Sequence, residues 1–251
     1  SYKTTSDYAI VLGNPVGKNP DIIRRLIESF EAECRKNGLR TAYHRIPEND
    51  IPFYRSMSKK ALPIGEEAVV HLNSFTIKGR NKSALRNAIN KMIKAGYSFK
   101  VNEPPQNDGF LQQLKSVSSE WLQEMKRNEL VFSQGMFLEK ELKEHLIFTV
   151  ENTTGKIVGF VNLIPNYKPG EANFDLMRKT TDAPPGTMDF LFVKMFGFLK
   201  EKGFQSCTLG MVPLSGINEP KNLQERALQT TYENMKAFAH YKNLYQFKEK
   251  F

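Results

Sequence analysis

The chain has 251 residues, 40% of them hydrophobic and 25% charged, as expected of a soluble globular protein with a sizeable core. Its 36 Lys+Arg against 27 Asp+Glu leave a net charge of +9 and a pI near 9.4, which favours polyanions such as nucleic acid or an anionic bilayer surface. No run approaches the ~20 apolar residues needed to cross a bilayer, and the first residues do not read as a signal peptide.

Cys34 and Cys207 lie far apart among apolar neighbours and read as buried structural thiols. His44, His71, His145 and His240 show no metal-binding spacing, so no metal site is expected.

The first segment reads as an α/β unit. "YAIVLG" is a strand and "GNPVGKNP" a turn. The amphipathic helix "DIIRRLIESFEAECRKNG" follows, with Asn19 as N-cap, Pro20 at its first position and Gly38 as its stop. The glycines and Lys18 are one residue short of a phosphate loop, and Asn19 replaces the Ser or Thr that would meet magnesium. "RTAYHRI" and "EEAVVHL" read as further strands.

In "KGRNKSALRNAINKMIKAG", Leu85, Ile89, Met92 and Ile93 recur at helical spacing and form a buried stripe. Arg80, Lys82 and Arg86, with Lys91 and Lys94, make the stretch basic with no acidic residue, which points to a polyanion contact. "NEPPQNDG" reads as a linker between an N-terminal unit over 1–101 and a C-terminal unit over 102–251.

The second half gives the helix "LQQLKSVSSEWLQEM", then the strands "HLIFTVEN" and "KIVGFVNLI" as a hairpin across "TTG". The strand "ANFDLMR", the helix "MDFLFVKMFGFLKEKG", the strand "SCTLGM" and a helical region over 223–239 complete it. This order resembles the GNAT acyltransferase core. The first half has a shorter βαβ version, so the fold class is α/β (α+β), with mixed sheets flanked by helices and two related units. The apolar helix "MDFLFVKMFGFL" reads as core rather than as a lipid groove.

In GNAT enzymes a glycine-rich loop offers backbone N–H groups to the coenzyme A pyrophosphate. Here the loop is "KTTDAPPGT". Pro184 and Pro185 have no N–H, Asp182 adds negative charge, and Thr187 reads as the N-cap of the next helix. The scaffold suggests acyl transfer, and the loop argues against acetyl-CoA as donor.

"HLNSFTIKGRNKSALRNAINKMIKAGYSF", "FDLMRKTTDAPPGTMDFLFV", "LGMVPLSG" and "YQFKEKF" together resemble the C-terminal catalytic domain of bacterial phosphatidylglycerol lysyltransferases, the lysylphosphatidylglycerol synthetase or multiple peptide resistance factor family. The resemblance runs from about Gly13 to Phe251. It implies tandem GNAT-like folds in a cytoplasmic-facing domain at the bacterial cell membrane, preceded by its own N-terminal transmembrane domain that is absent from this chain. It also implies transfer of an amino acid, lysine before alanine, from aminoacyl-tRNA to the glycerol hydroxyl of phosphatidylglycerol. The cationic lipid so made confers resistance to cationic antimicrobial peptides. The chain stops where the family continues for a short tail, so it reads as a soluble fragment.

An activated ester and an alcohol need no cofactor, only a positioned hydroxyl, a route for its proton and stabilisation of the oxyanion. Asp175 and Arg178 are expected to line the reaction centre. Asp175 would hold the aminoacyl ammonium or orient the hydroxyl, and Arg178 would bind a phosphate bidentately; a structural ion pair is the alternative for both. Three apart on an ideal strand, they fall on opposite faces unless a bulge or the strand end turns one. Lys250, with Lys248, stands where the family has its YKEKF motif, facing tRNA 3′-end phosphates or developing charge. Asp189 in the first turn of the apolar helix, Glu120 beside Trp121 and Ser215 in a turn with Gly216 are candidate substrate contacts. A Fem-type aminoacyl-tRNA transferase acting on a peptidoglycan precursor, an acetyl-CoA enzyme and a non-catalytic tRNA- or membrane-binding module are the rival readings.

Overall fold

The computed structural model describes residues 1–126, 128–129, 135–166, 168–213, 215, 226, 230 and 239–251. It divides into a compact unit over Ser1–Ile64 and another over Gly65–Phe251. The expected boundary at 101/102 is therefore corrected. The strands on either side of "KGRNKSALRNAINKMIKAG" are the two edges of one sheet in the second unit, and hydrogen bonding keeps them there.

The first unit contains β1 (Tyr2–Thr5), β2 (Tyr8–Leu12), α1 (Pro20–Lys36), β3 (Arg40–His44) and α2 (Ile51–Ser56). Its sheet runs β1-β2-β3, with β2 and β3 parallel on either side of the α1 crossover. Asn19 Oδ1 accepts the Ile22 N–H at 2.9 Å, as the cap reading expects. Asn14, in the glycine turn, donates to Asp50 and accepts from Tyr54 Oη at 2.7 Å, so that turn is tied down by side chains of its own unit. Glu31 collects Tyr43 Oη at 2.9 Å, Lys59 Nζ and the Thr41 hydroxyl. Burial pushes its carboxyl up, and these bonds more than offset that and leave it lowered.

The second unit contains β4 (Gly65–His71), α3 (Ser83–Lys94), β5 (Ser98–Asn102), α4 (Asp108–Glu124), α5 (Glu139–Leu142), β6 (Ile147–Glu151), β7 (Ile157–Ile164), β8 (Glu171–Lys179), α6 (Thr187–Glu201), β9 (Ser206–Pro213) and α7 (Ala239–Glu249). Its six strands are ordered β4-β9-β8-β7-β6-β5, and β8 and β9 are parallel. The mixed α/β class with helix-flanked mixed sheets is as expected. The helical region foreseen over 223–239 falls mostly outside the described residues.

α3 and α6 cover one face of the sheet. The larger core lies there, where Leu85, Ile89 and Met92 meet Phe190, Leu191, Phe192, Met195 and Phe196. α6 buries most of its surface and leaves Lys194, Gly197 and Lys200 outward, while Phe75 and Phe251 pack on Phe196. Ile93, expected in the buried stripe, is 51% exposed, because it lies about 100° around the helix from Met92. α4 covers the other face, burying Leu111, Leu114 and Val117 against Ile147, Phe160 and Leu176. "NEPPQNDG" is not a free linker: Gln106 is buried and donates to the carbonyls of Asn102 and His145 at 2.8 and 2.9 Å.

Gly186, rather than Thr187, caps α6. It adopts φ +93°, and a β-carbon there would meet the Ala88 Cβ at 2.9 Å. Thr187 instead donates its hydroxyl to the Pro184 carbonyl at 2.7 Å. Gly186→Ala should therefore cost about 2 kcal/mol, or lower the melting temperature by about 6 °C, in calorimetry.

Candidate functional site

The chemistry gathers where β8 and β9 part. They pair only through Glu171–Ser206, Ala172–Cys207 and Asn173–Thr208, after which β8 continues to Lys179 and β9 to Pro213 without pairing to each other. Each strand is bulged just beyond the last shared rung. On β8, Asp175 and Leu176 stand opposite the single residue Asn162 of β7. On β9, Leu209 and Gly210 stand opposite Ala68 of β4, and Gly210 takes φ +73°.

The β8 bulge resolves the facing problem posed by the sequence. Phe174 and Met177 pack into the α6-side core and Leu176 into the α4-side core. The extra residue lets Asp175 and Arg178 share the α4 face although they are three apart. Asn162 stabilises the bulge from within, accepting the Leu176 N–H at 2.9 Å, while its amide nitrogen lies 3.1 Å from His145 Nδ1.

Asp175 is part-buried, and burial raises its carboxyl above the ordinary range. The Gly135 N–H, His145 and Arg178 pull the other way. Gly135 lies so close to this carboxylate that no side chain fits there. Arg178 is only 3% exposed and is fully engaged. Glu129 meets it bidentately at 2.7 and 2.6 Å, Ser118 accepts a further bond, and the guanidinium carbon sits 5.2 Å above the Trp121 ring. The fork expected to grip a substrate phosphate thus holds Glu129. That ion pair is the structural alternative named for Arg178, and the residue acts as a scaffold for this face. Nothing in the local sequence around Glu129 marks it as the partner.

Lys250 and Asp189 meet on the α6 face. Lys250 Nζ lies 2.9 and 3.0 Å from the two carboxylate oxygens of Asp189, in the first turn of α6. Lys82 donates to the Lys250 carbonyl and so ties the chain's last residues to the start of α3. Lys248 is 8% exposed, and its ammonium lies 2.8 Å from the Gly210 carbonyl and 3.2 Å from that of Met211. The β9 bulge turns both carbonyls toward it, so Lys248 clamps α7 to β9 and its expected substrate contact is replaced by this one.

The remaining candidates do structural work. Glu120 accepts the Thr181 N–H at 2.7 Å and the Thr181 hydroxyl, so it caps the loop after β8 instead of facing a substrate side chain. Lys156 pairs with Asp182 in the same loop at 2.8 Å. Ser215 is buried, accepting the Glu66 N–H and donating to the Val212 carbonyl, each at 2.9 Å; Gly216 lies outside the described residues. Arg86 donates to the Ile77 and Gly79 carbonyls, while Arg80 lies in the turn before α3, so only part of the expected basic face points outward. Burial raises both thiols, that of Cys207 to about 12. Among the described residues no group of His, Cys, Asp or Glu is placed to hold a metal ion.

The whole chain, residues 1–251, matches the family model "Phosphatidylglycerol lysyltransferase, C-terminal". A relative from Bacillus subtilis, a phosphatidylglycerol lysyltransferase, is 36% identical over 244 residues, which is 96% of this chain and 28% of that protein. The chain thus spans under a third of the curated relatives it matches. The solved structure of L-PGS from Bacillus licheniformis superposes with a TM-score of 0.84 at 32% identity, covering 96% of this chain and 76% of that one. The C-terminal domain of a lysylphosphatidylglycerol synthetase from Agrobacterium fabrum gives 0.85 at 31%, covering 99% and 75%.

Because burial raises the folded-state pKa of Asp175 above its unfolded value, its ionised form costs stability at neutral pH. Stability on this account falls as pH rises between the two values. Asp175→Asn should raise the melting temperature at pH 7 by roughly 2 °C. The gain should shrink as pH drops through the folded-state pKa, where the wild-type carboxyl protonates. Melting curves at pH 7 and pH 4 check this.

Proposed function

The chain belongs to the phosphatidylglycerol lysyltransferase C-terminal family, and from that premise we propose that it carries the transfer site of an aminoacyl-tRNA-dependent lipid aminoacyltransferase. The donor is lysyl-tRNA and the acceptor is the glycerol hydroxyl of phosphatidylglycerol, presented at the cytoplasmic membrane surface by the longer protein. The product is a cationic lipid, which weakens the hold of cationic antimicrobial peptides on the envelope.

The observation that carries this reading is the opening between β8 and β9 together with a loop closed to a nucleotide diphosphate. At the head of α6, where backbone N–H groups would cradle a pyrophosphate, Glu120 occupies the Thr181 amide and Pro184 and Pro185 donate nothing. A carboxylate already stands where a phosphate would have to sit. The opening therefore suits an acyl group delivered on a larger anion held outside the loop.

The two faces divide the work. On the α4 face, the Asp175 carboxylate holds the α-ammonium of the aminoacyl group, oriented by Gly135 and by the Arg178–Glu129 pair. On the α6 face, Lys250 lies beside Asp189 with Lys82 nearby, presenting positive charge to the tRNA 3′ end and to the oxyanion. The glycerol oxygen adds to the ester carbonyl, the ribose oxygen departs, and the hydroxyl proton ends on that departing oxygen. No acyl-enzyme is required, since the donor is already activated. Arg80 and the outward lysines of α3 extend the positive surface for the tRNA, with Arg86 holding the preceding turn.

Full-length protein in phosphatidylglycerol vesicles, given labelled lysyl-tRNA, should move label into the organic phase. Label in an aqueous peptide precursor would favour a Fem-type transferase, and tRNA binding without transfer a binding module. Lys250→Met should lower kcat by about 100-fold or more in samples kept below the melting temperature, which itself falls because Asp189 loses its partner. Asp189→Asn in the same background should restore stability without restoring turnover. Wild-type turnover in the Lys250→Met protein would remove Lys250 from the site.

A further inference from the structure

We propose that Asn173 recognises the side-chain ammonium of the transferred amino acid, with Thr208 and Glu171 beside it, and so sets the preference for a lysyl donor. This rests on the reading above, in which Asp175 holds the α-ammonium of the same group.

Among the described residues, Asn173 Oδ1 is the buried side-chain oxygen or nitrogen with no hydrogen-bond partner. Such an atom is costly unless something fills the vacancy in the working complex. Its position is well defined, because the backbone of Asn173 pairs with Ile164 of β7 and Thr208 of β9, on the last rung before the strands part.

The neighbours fix which way it faces. Ala172 and Phe174 pack into the α6-side core, so Asn173 between them lies on the α4 face. Two residues further on, still ahead of the extra bulge residue, Asp175 shares that face. Two residues back, so does Glu171. On β9, Cys207 and Leu209 belong to the α6-side core, which puts Thr208 on the α4 face beside Asn173.

β8 thus presents a row of acceptors, carboxylate, amide oxygen and carboxylate, at every second residue. Alternate residues of a strand are about 6.7 Å apart. The α- and ε-nitrogens of an extended lysine, joined through the α-carbon and a four-carbon stem, are separated by roughly 7 Å. With the α-ammonium on Asp175, the ε-ammonium falls at Asn173, flanked by the Thr208 hydroxyl and in the field of Glu171. Glu171, at the far end of the row, is paired with Lys168 at 2.7 Å, so Asn173 and Asp175 are the acceptors left for the substrate. An alanyl group would reach Asp175 and leave Asn173 empty.

The test uses full-length protein in phosphatidylglycerol vesicles with tRNA charged either with lysine or with norleucine, which carries a methyl group in place of the ammonium. Wild type should prefer the lysyl donor in kcat/KM. Asn173→Ala should lower that preference about tenfold or more while norleucyl transfer stays within about threefold, so norleucyl transfer reports on the fold in the same sample. Asn173→Asp, which keeps an acceptor and adds charge, should retain the lysyl preference.

The assignment is overturned if Asn173→Ala leaves the ratio unchanged, if both donors lose activity in parallel, or if Asn173→Asp loses the preference. Equal use of both donors by wild type overturns the assignment alone. Transfer of neither donor to lipid by wild type overturns the proposed function on which it rests.

Discussion

The parting of two parallel strands governs the rest of this structure. β8 and β9 share three rungs and then diverge, and each leaves the shared register through a bulge. Separated strands expose backbone groups that a closed sheet would pair, and these must be satisfied some other way. On β9 the answer is Lys248, whose ammonium takes two successive carbonyls at the Gly210 bulge. On β8 it is Asn162, whose side chain accepts the Leu176 N–H that the ladder leaves behind. The opening therefore belongs to the folded structure and does not await a ligand.

Charge buried around that opening is matched group by group. Arg178 sits almost wholly within the protein with Glu129, Ser118 and Trp121 around it. A buried guanidinium left with no carboxylate would cost several kcal/mol, so this arrangement is tolerable only as a complete set. The loop before α6 follows the same rule in reverse. Its free N–H meets a protein carboxylate from Glu120, and its Asp182 meets Lys156. A site that in nucleotide-thioester enzymes draws an anion from solution is here neutralised from within. Asp175 and Asn173 stand apart from this matching. One is a carboxyl that burial pushes up, the other an acceptor without a donor, and they neighbour each other on one face of one strand.

Much of this was legible in the chain. The helix over Pro20–Lys36 carries its own cap and proline, and the short apolar run of "KIVGFVNLI" and the nearly all-apolar "MDFLFVKMFGFL" mark a buried strand and a core helix. Proline chemistry in "DAPPGT" marked the loop as unfit for a pyrophosphate. The boundary near residue 101 was misplaced because Pro, Asn and Gly look alike in a linker and in a helix cap. Only the burial of Gln106 and the pairing of β5 with β6 tell the two apart. Glu120, Lys248 and Ser215 look like substrate contacts in the sequence because a polar residue near a motif has no visible partner in one dimension. Their partners lie 61, 38 and 149 residues away.

The sequence by itself determined the class of fold, the order of its elements, the family motifs and the exclusion of a glycine-rich anion loop. All of these follow from local periodicity, backbone chemistry and short patterns. Tertiary structure alone decided which face each polar residue of β8 occupies, because one extra residue in a strand reverses the alternation beyond it and leaves no mark in composition. It also decided which charges are occupied and which are left to bind. That depends on distances between residues far apart in the chain, set by how the sheet pairs.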